Sequence, residues 1–238
     1  MKPMDLMPIA LSFAAALALT PAVRALARRI GMVARPKAYR WHTRPTALLG
    51  GLAIFAAVAL AALLFVPKSP QVVAVLVASG FMFALGLADD LRNLKPYQKL
   101  IGQIVCAAGV VACRLVLPWT GLLPVDMAIT MVWLVGITNA VNLLDNMDGL
   151  AAGIAAIASA FLALNFLGNG QANEAMLLGI LCAALAGFLV YNANPATIFM
   201  GDCGSLFIGF LLASAALISG TLAIRSSSGY DRHQAAAR

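Results

Sequence analysis

The sequence predicts an all-α, polytopic integral membrane protein with about eight transmembrane helices, and three observations carry that prediction. The chain is 62% hydrophobic and only 11% charged, whereas soluble domains run near 45–50% apolar and about 25% charged. Its apolar residues fall into runs close to the ~20 needed to cross a bilayer. The runs are rich in Ala, Leu and Gly and lack the alternating polarity of barrel strands, so strands are not expected.

The predicted spans are roughly 5–23, 47–66, 71–88, 100–117, 124–141, 149–167, 174–192 and 204–222. Short connections between them hold most of the Gly, Pro, Asn and charge, as chain punctuation does. The 238 residues thus read as a single membrane-embedded domain. The first run could be taken for a secretory signal, since "LALTPA" resembles a cleavage site. Asp5 precedes the run, however, and the positive charge follows it, so a retained first helix with its N-terminus outside is expected.

Orientation comes from the basic residues. Arg24, Arg28, Arg29, Arg35, Lys37, Arg40 and Arg44 cluster after the first run, and Arg92, Lys95 and Lys99 lie two crossings later. The opposite loops carry only Lys68. The positive-inside rule makes the basic side cytoplasmic. The net charge of +7 is mostly this topology signal. It excludes a nucleic-acid partner, because no stacking aromatics are interleaved with the cations. Cys106, Cys113, Cys182 and Cys203 lack paired metal spacing and read as small buried residues. His42 and His233 are too few for a histidine-based metal site.

The nine carboxylates are more informative. Asp5, Asp126, Glu174 and Asp231 fall on outer loops or termini, and Asp89, Asp90, Asp145, Asp148 and Asp202 at inner helix ends. Asp89 and Asp145 are 56 residues apart, and Asp145 and Asp202 are 57 apart. Two crossings with their loops need about 50–60 residues, so three acidic turns return to one face. Carboxylates at the hydrocarbon boundary lose hydration and repel one another, and ionisable groups there point to function. A hard divalent cation offsets that repulsion, and clustered Asp and Asn oxygens suit Mg²⁺ bridged to substrate phosphates.

Each cluster also has a plain reading. In "LGLADDLRNLKPYQK" the acids could pair with Arg92 or Lys95 in a solvated turn. In "NAVNLLDNMDGLAAG", Asn139, Asn142, Asp145 and Asp148 recur at steps of three, which on one continuous helix makes a polar edge. Capping of the next helix by Asn146 or Asp148 explains one acid but not four polar residues in register. In "NANPATIFMGDCGSLFIGF", Asp202 and Ser205 could be a cap, but Gly201 and Gly204 allow close approach of a ligand, and a helix N-terminus favours phosphate.

Together these clusters resemble the polyprenyl-phosphate N-acetylhexosamine-1-phosphate transferases. That family's marks are an Asp-Asp pair, a stretch like N-A-x-N-x-x-D-G-x-D-G-L-A, and F-M-G-D-x-G-S-L; here they read Asp89-Asp90, "NAVNLLDNMDGLA" and "FMGDCGSL". The first loop, "PKAYRWHTRPTALLGG", adds Pro36, Arg40, His42, Pro45, Gly50 and Gly51, with Tyr39 and Ala34 departing from the pattern. Asn146 stands where the family has Gly.

The resemblance implies transfer of a sugar-1-phosphate, of the N-acetylglucosamine type, from a UDP-N-acetylhexosamine to undecaprenyl phosphate within the lipid bilayer, releasing UMP. It implies Mg²⁺, with Mn²⁺ as an alternative, held by Asp202 and Asn142. Asp89 and Asp90 would stand by the lipid phosphate as base or metal organisers, and Asp145 and Asp148 would shape the nucleotide pocket. Lys99 would meet phosphate, with Asn93 near it. Asn139, Gly201 and Ser205 would line the substrate site. Arg40 and His42 would recruit an anionic head group or serve only as topology charges. Direct attack by the lipid phosphate is expected rather than a covalent intermediate, because that phosphate is already ionised near neutral pH. A homodimer is the candidate assembly.

The family normally has ten or eleven helices and a late His-rich loop, whereas this sequence closes on "RSSSGYDRHQAAAR" after the eighth run. A short member, a truncated product, half of a shared site and a non-catalytic scaffold are all open on that ground. Two other classes fit less well. A secondary transporter would carry its acids near the midplane. A CDP-alcohol phosphotransferase would need Arg where Gly153 stands.

Overall fold

A computed structural model of the chain describes residues 6–34 and 46–227, with side chains described as far as 218. Eight helices follow in order: α1 (Met7–Arg29), α2 (Gly50–Phe65), α3 (Pro70–Arg92), α4 (Pro96–Ala112), α5 (Leu123–Leu144), α6 (Leu150–Gly168), α7 (Ala172–Asn192) and α8 (Gly201–Ser227). Proline sits in the first turn of α1, α3, α4 and α5, where its missing N–H has no partner to lose. Ser69 caps α3 by accepting from the Val72 N–H at 3.2 Å. The Gln98 side chain reaches back to the Lys95 N–H at 2.9 Å to start α4.

Six of the eight are long and apolar enough to cross a bilayer, and the chain is a multi-pass membrane protein. The other two predicted spans come out short. Helix α2 has 16 residues and α4 has 17, so each is about 24–26 Å long against a hydrocarbon core of about 30 Å. Helix α4 ends at Ala112, which leaves Arg114, in a left-handed turn, outside the helix rather than inside the expected span. The end of the molecule away from the three acidic turns therefore carries Arg114 as well as Lys68.

Successive helices alternate in direction. The C-terminal ends of α1, α3, α5 and α7 gather with the N-terminal ends of α2, α4, α6 and α8, as hydrogen bonds between these ends show. We call this the site end. Helix α8 is the hub: 83% of its span is buried, against 22% for α1 and for α5. It packs on α2, α3, α5 and α6, while α7 packs on α1, α2 and α6. Phe55 of α2 stacks on Phe83 of α3 at 4.0 Å and meets Phe207 of α8 edge-on at 5.2 Å, which locks that triplet.

Two features at the site end were not expected. Short strands β1 (Val33–Ala34) and β2 (Thr46–Ala47) pair antiparallel, and Ala47 bridges to Ile198. These loops meet where water is scarce, so their backbone groups take one another as partners. The second is the start of α2. The N–H groups of Gly50 and Gly51 donate to the Phe199 and Met200 carbonyls at 2.9 and 2.7 Å. A side chain on Gly51 would collide with the backbone of Gly204, so the paired glycines let α2 and α8 start against each other.

Candidate active site

Three turns deliver the polar groups: the α3–α4 turn, the α5–α6 turn and the start of α8. Lys99, in the first turn of α4, forms an ion pair with Asp89 at 2.7 Å and a second with Asp202. Asp89 therefore pairs with Lys99, not with Arg92 or Lys95 as a solvated turn would have it. Its other oxygen accepts from the Leu94 N–H at 2.7 Å and closes the turn. The carboxyls of Asp89 and Asp202 also lie within hydrogen-bonding reach of each other. On the far side of Asp202, the Asn142 amide donates to its Oδ1 at 2.9 Å and to the Ser205 hydroxyl at 2.8 Å. Asp89 and Asp202, 113 positions apart in sequence, thus share one ammonium.

Asp90 faces the other way. Its two oxygens accept the N–H groups of Asp202 and Cys203, both at 2.9 Å. It caps α8 from another helix, where a carboxylate also complements the positive helix end. The α8 N-terminus therefore spends these two amides on Asp90 and does not offer them to phosphate. Gly201 has φ of +76°, and a Cβ there would come within 2.9 Å of an Asp90 oxygen, so glycine is required. Ser205 is fully buried and donates to the Gly201 carbonyl at 3.2 Å, which turns it inward.

The polar edge at steps of three holds only to Asn142. Helix α5 ends at Leu144, so Asp145 and Asp148 lie in the turn rather than on the helix. The following helix starts from Gly149 with φ of +70° and no side-chain cap. Asp148 ties this turn to the α7–α8 connection, accepting from the Ala196 N–H at 3.0 Å and the Asn194 amide at 3.4 Å. Asp145 points into the cluster. Burial pushes its carboxyl up to about 8; the nearby charges of Asp202 and Asp90 add to the rise, and the Gly201 N–H opposes it.

Beside the cluster is a cleft of about 240 Å³ between α4 and α5. Lys99, Gln103, Asn139 and Asn142 form its polar wall, and Leu94, Pro96 and Leu100 its apolar one. Asn139 is there, but its amide nitrogen already serves Gln103 at 2.6 Å and the Val135 carbonyl at 2.8 Å. Gln103 escaped the sequence reading, although it lies one turn after Lys99 in an otherwise apolar helix. Asn93 is exposed and ends α3 in a left-handed conformation, outside this network. Arg40 and His42 lie outside the described residues.

The donor set suits a hard cation. Among the described residues no three His, Cys, Asp or Glu side chains form a metal cage. What gathers is oxygen: Asp89, Asp202, the Ser205 hydroxyl and, on rotation of its amide, Asn142. One or two carboxylates with phosphates completing the shell is how Mg²⁺ is usually held, so these residues fit it.

The chain matches Glycosyl transferase family 4 over residues 72–220. It belongs to that family. All three acidic turns fall inside the matched region. Similar proteins align along most of the chain. A Bacillus subtilis protein named "Probable undecaprenyl-phosphate N-acetylglucosaminyl 1-phosphate transferase" is 34% identical, over 85% of this chain and 59% of its own length. The decaprenyl-phosphate N-acetylglucosaminephosphotransferase of Mycobacterium tuberculosis is 38% identical, over 82% of this chain and 55% of its own. A phospho-N-acetylmuramoyl-pentapeptide-transferase of Levilactobacillus brevis is 33% identical, over 81% of this chain and 68% of its own. This family 4 chain spans little more than half the length of the first two.

Proposed function

We propose that the chain transfers N-acetylglucosamine-1-phosphate from UDP-N-acetylglucosamine to undecaprenyl phosphate, releasing UMP, at the cytoplasmic face of a bacterial inner membrane. The observation that carries this reading is the Lys99 ammonium shared by Asp89 and Asp202, beside Asn142 and a cleft with one polar and one apolar wall. Relatives named for transfer to undecaprenyl and decaprenyl phosphate support the acceptor class. The basic residues at the site end support a cytoplasmic face.

In this reading an oxygen of the lipid phosphate forms a bond to the sugar-bearing phosphorus, and the bond from that phosphorus to the UMP oxygen breaks. Both substrates are anions, so alignment and charge neutralisation matter more than a covalent catalyst. Asp202 and Asn142 would hold Mg²⁺, with Asp89 adjacent. Bound there, Mg²⁺ supplies positive charge to the phosphates. Lys99 provides a fixed cation at the mouth of the cleft. Asp90 keeps the first turn of α8 in place, and with it Asp202. Asp148 joins the α5–α6 turn to the α7–α8 connection, so that Asp145 and Asp202 keep their spacing.

Purified protein given UDP-N-acetylglucosamine, undecaprenyl phosphate and Mg²⁺ is expected to release UMP. The Asp202→Asn variant is expected to lose at least about a hundredfold in rate while unfolding at an unchanged temperature. Absence of UMP from the wild type, or normal turnover by Asp202→Asn, overturns the proposal.

A further inference from the structure

Gln103 is 1% exposed in a helix whose other buried residues are Ala107, Val110 and Val111. A buried primary amide in an apolar bundle is unfavourable unless its donors and acceptor are used. Gln103 uses one donor and its acceptor on one residue. Its nitrogen donates to Asn139 Oδ1 at 3.2 Å, and its oxygen accepts from Asn139 Nδ2 at 2.6 Å. The remaining Asn139 N–H goes to the Val135 carbonyl of its own helix at 2.8 Å, which fixes the amide's orientation. The two amides are therefore held face to face across the α4–α5 contact.

The spacing gives this pair a consequence. Lys99 is four residues before Gln103 on α4, and Asn142 three residues after Asn139 on α5, so on each helix the two residues share a face one turn apart. Lys99 and Asn142 both bond Asp202. The contact thus has two rungs. One is Gln103 with Asn139; the other is Lys99 and Asn142 joined through Asp202. Helix α4 buries few side chains in all; beyond its far end the Leu117 N–H ties the chain to α5 by donating to the Thr130 hydroxyl at 3.0 Å, and the amide pair holds the half nearer the site.

We infer that Gln103 is a positioning residue: its amide pair with Asn139 sets the register of α4 on α5 and so places the Lys99 ammonium at Asp202 and the mouth of the cleft. Gln103 does not touch the phosphates and acts through Lys99. The inference deepens the transferase reading and rests on it for its kinetic readout.

The test uses the full chain in detergent with UDP-N-acetylglucosamine, undecaprenyl phosphate and Mg²⁺. Gln103→Leu is expected to lower kcat by about tenfold or more, because misplacement by about an ångström is enough to do so. Its KM for the UDP-sugar stays within about threefold, since Gln103 is 1% exposed and its amide is engaged by Asn139. The exchange variant, Gln103→Asn with Asn139→Gln, keeps the combined length of the pair and is expected to recover most of kcat. A Gln103→Leu rate within about twofold of wild type, or an exchange variant no better than that single change, overturns the inference. Thermal unfolding of Gln103→Leu, Asn139→Leu and the double variant gives a measure independent of turnover. The double variant is expected to unfold no earlier than the worse single one, and additive losses overturn the inference. If the wild type releases no UMP, the transferase reading fails, and this unfolding cycle alone decides whether the pair holds the register.

Discussion

The two ends of the molecule each hold aspartates in hydrogen bonds, Asp126 buried at one and Asp90 and Asp202 partly buried at the other, and the difference between them separates scaffolding from a site. At the end away from the acidic cluster, Asp126 is 3% exposed and accepts the N–H and the hydroxyl of Thr120, both at 2.8 Å. Its partner is six residues away, in the turn that leads into α5. At the site end, the bonds of Asp202 and Asp90 cross 60, 103, 112 and 113 positions. A local partner set ties a turn to the helix that follows it, and one connection suffices to build it. A set drawn from α3, α4, α5 and α8 forms only when the whole bundle has formed. It also places two carboxyls in contact, an arrangement that capping does not require.

The sharpest break in that contrast is activity. If the two ends differ as their partners do, Asp126→Asn keeps UMP release within about twofold of wild type, whereas Asp202→Asn loses about a hundredfold or more. Equal losses in the two variants would erase the distinction. Stability is expected to run the other way. Asp126→Ala lowers the thermal midpoint by about 3 °C, as loss of a buried hydrogen-bonded side chain does. Asp202→Asn leaves the midpoint within about 2 °C, because it removes one of two carboxyls in contact along with one partner of Lys99. Parallel unfolding measurements on the two purified variants check the reversal.

The same contrast explains what could be read in the sequence. Helix number and order were legible because each apolar run is interrupted by Pro, Gly or charge. The meeting of three turns followed from the near-equal spacing of Asp89, Asp145 and Asp202. Direction of bonding was not legible. Asp89 and Asp90 are adjacent, yet one faces Lys99 and the other the amides of α8, because neighbours on a helix are about 100° apart. Steps of three from Asn139 to Asp148 look like one helix edge, but the chain turns after Leu144 and enters α6 through Gly149 at positive φ. A single glutamine past the first turn of an apolar helix gives no periodic signal. Only its distance of four from Lys99 marks Gln103 as part of the same face.

The smallest expected effect is a pH dependence, and it separates Asp145 from Asp126 as the first comparison separated Asp202. Folding lifts the Asp145 carboxyl to about 8, whereas in an unfolded chain it titrates near 3.9. The folded protein thus holds a proton between about pH 4 and 8 that the unfolded chain has lost. In that window the native state binds more protons, so stability is greatest at the acid end and falls as pH rises towards 8. The groups facing Asp145 are the charges of Asp202 and Asp90 and the N–H of Gly201, and all three stay in place in Asp145→Asn. That variant carries a neutral side chain at every pH. Its thermal midpoint is expected to match wild type near pH 5 and to exceed it near pH 8, with the gap widening steadily between. Midpoints that run parallel from pH 5 to 8 would show that Asp145 gives up its proton as readily when folded as when unfolded, and that burial at the site end does not press on it.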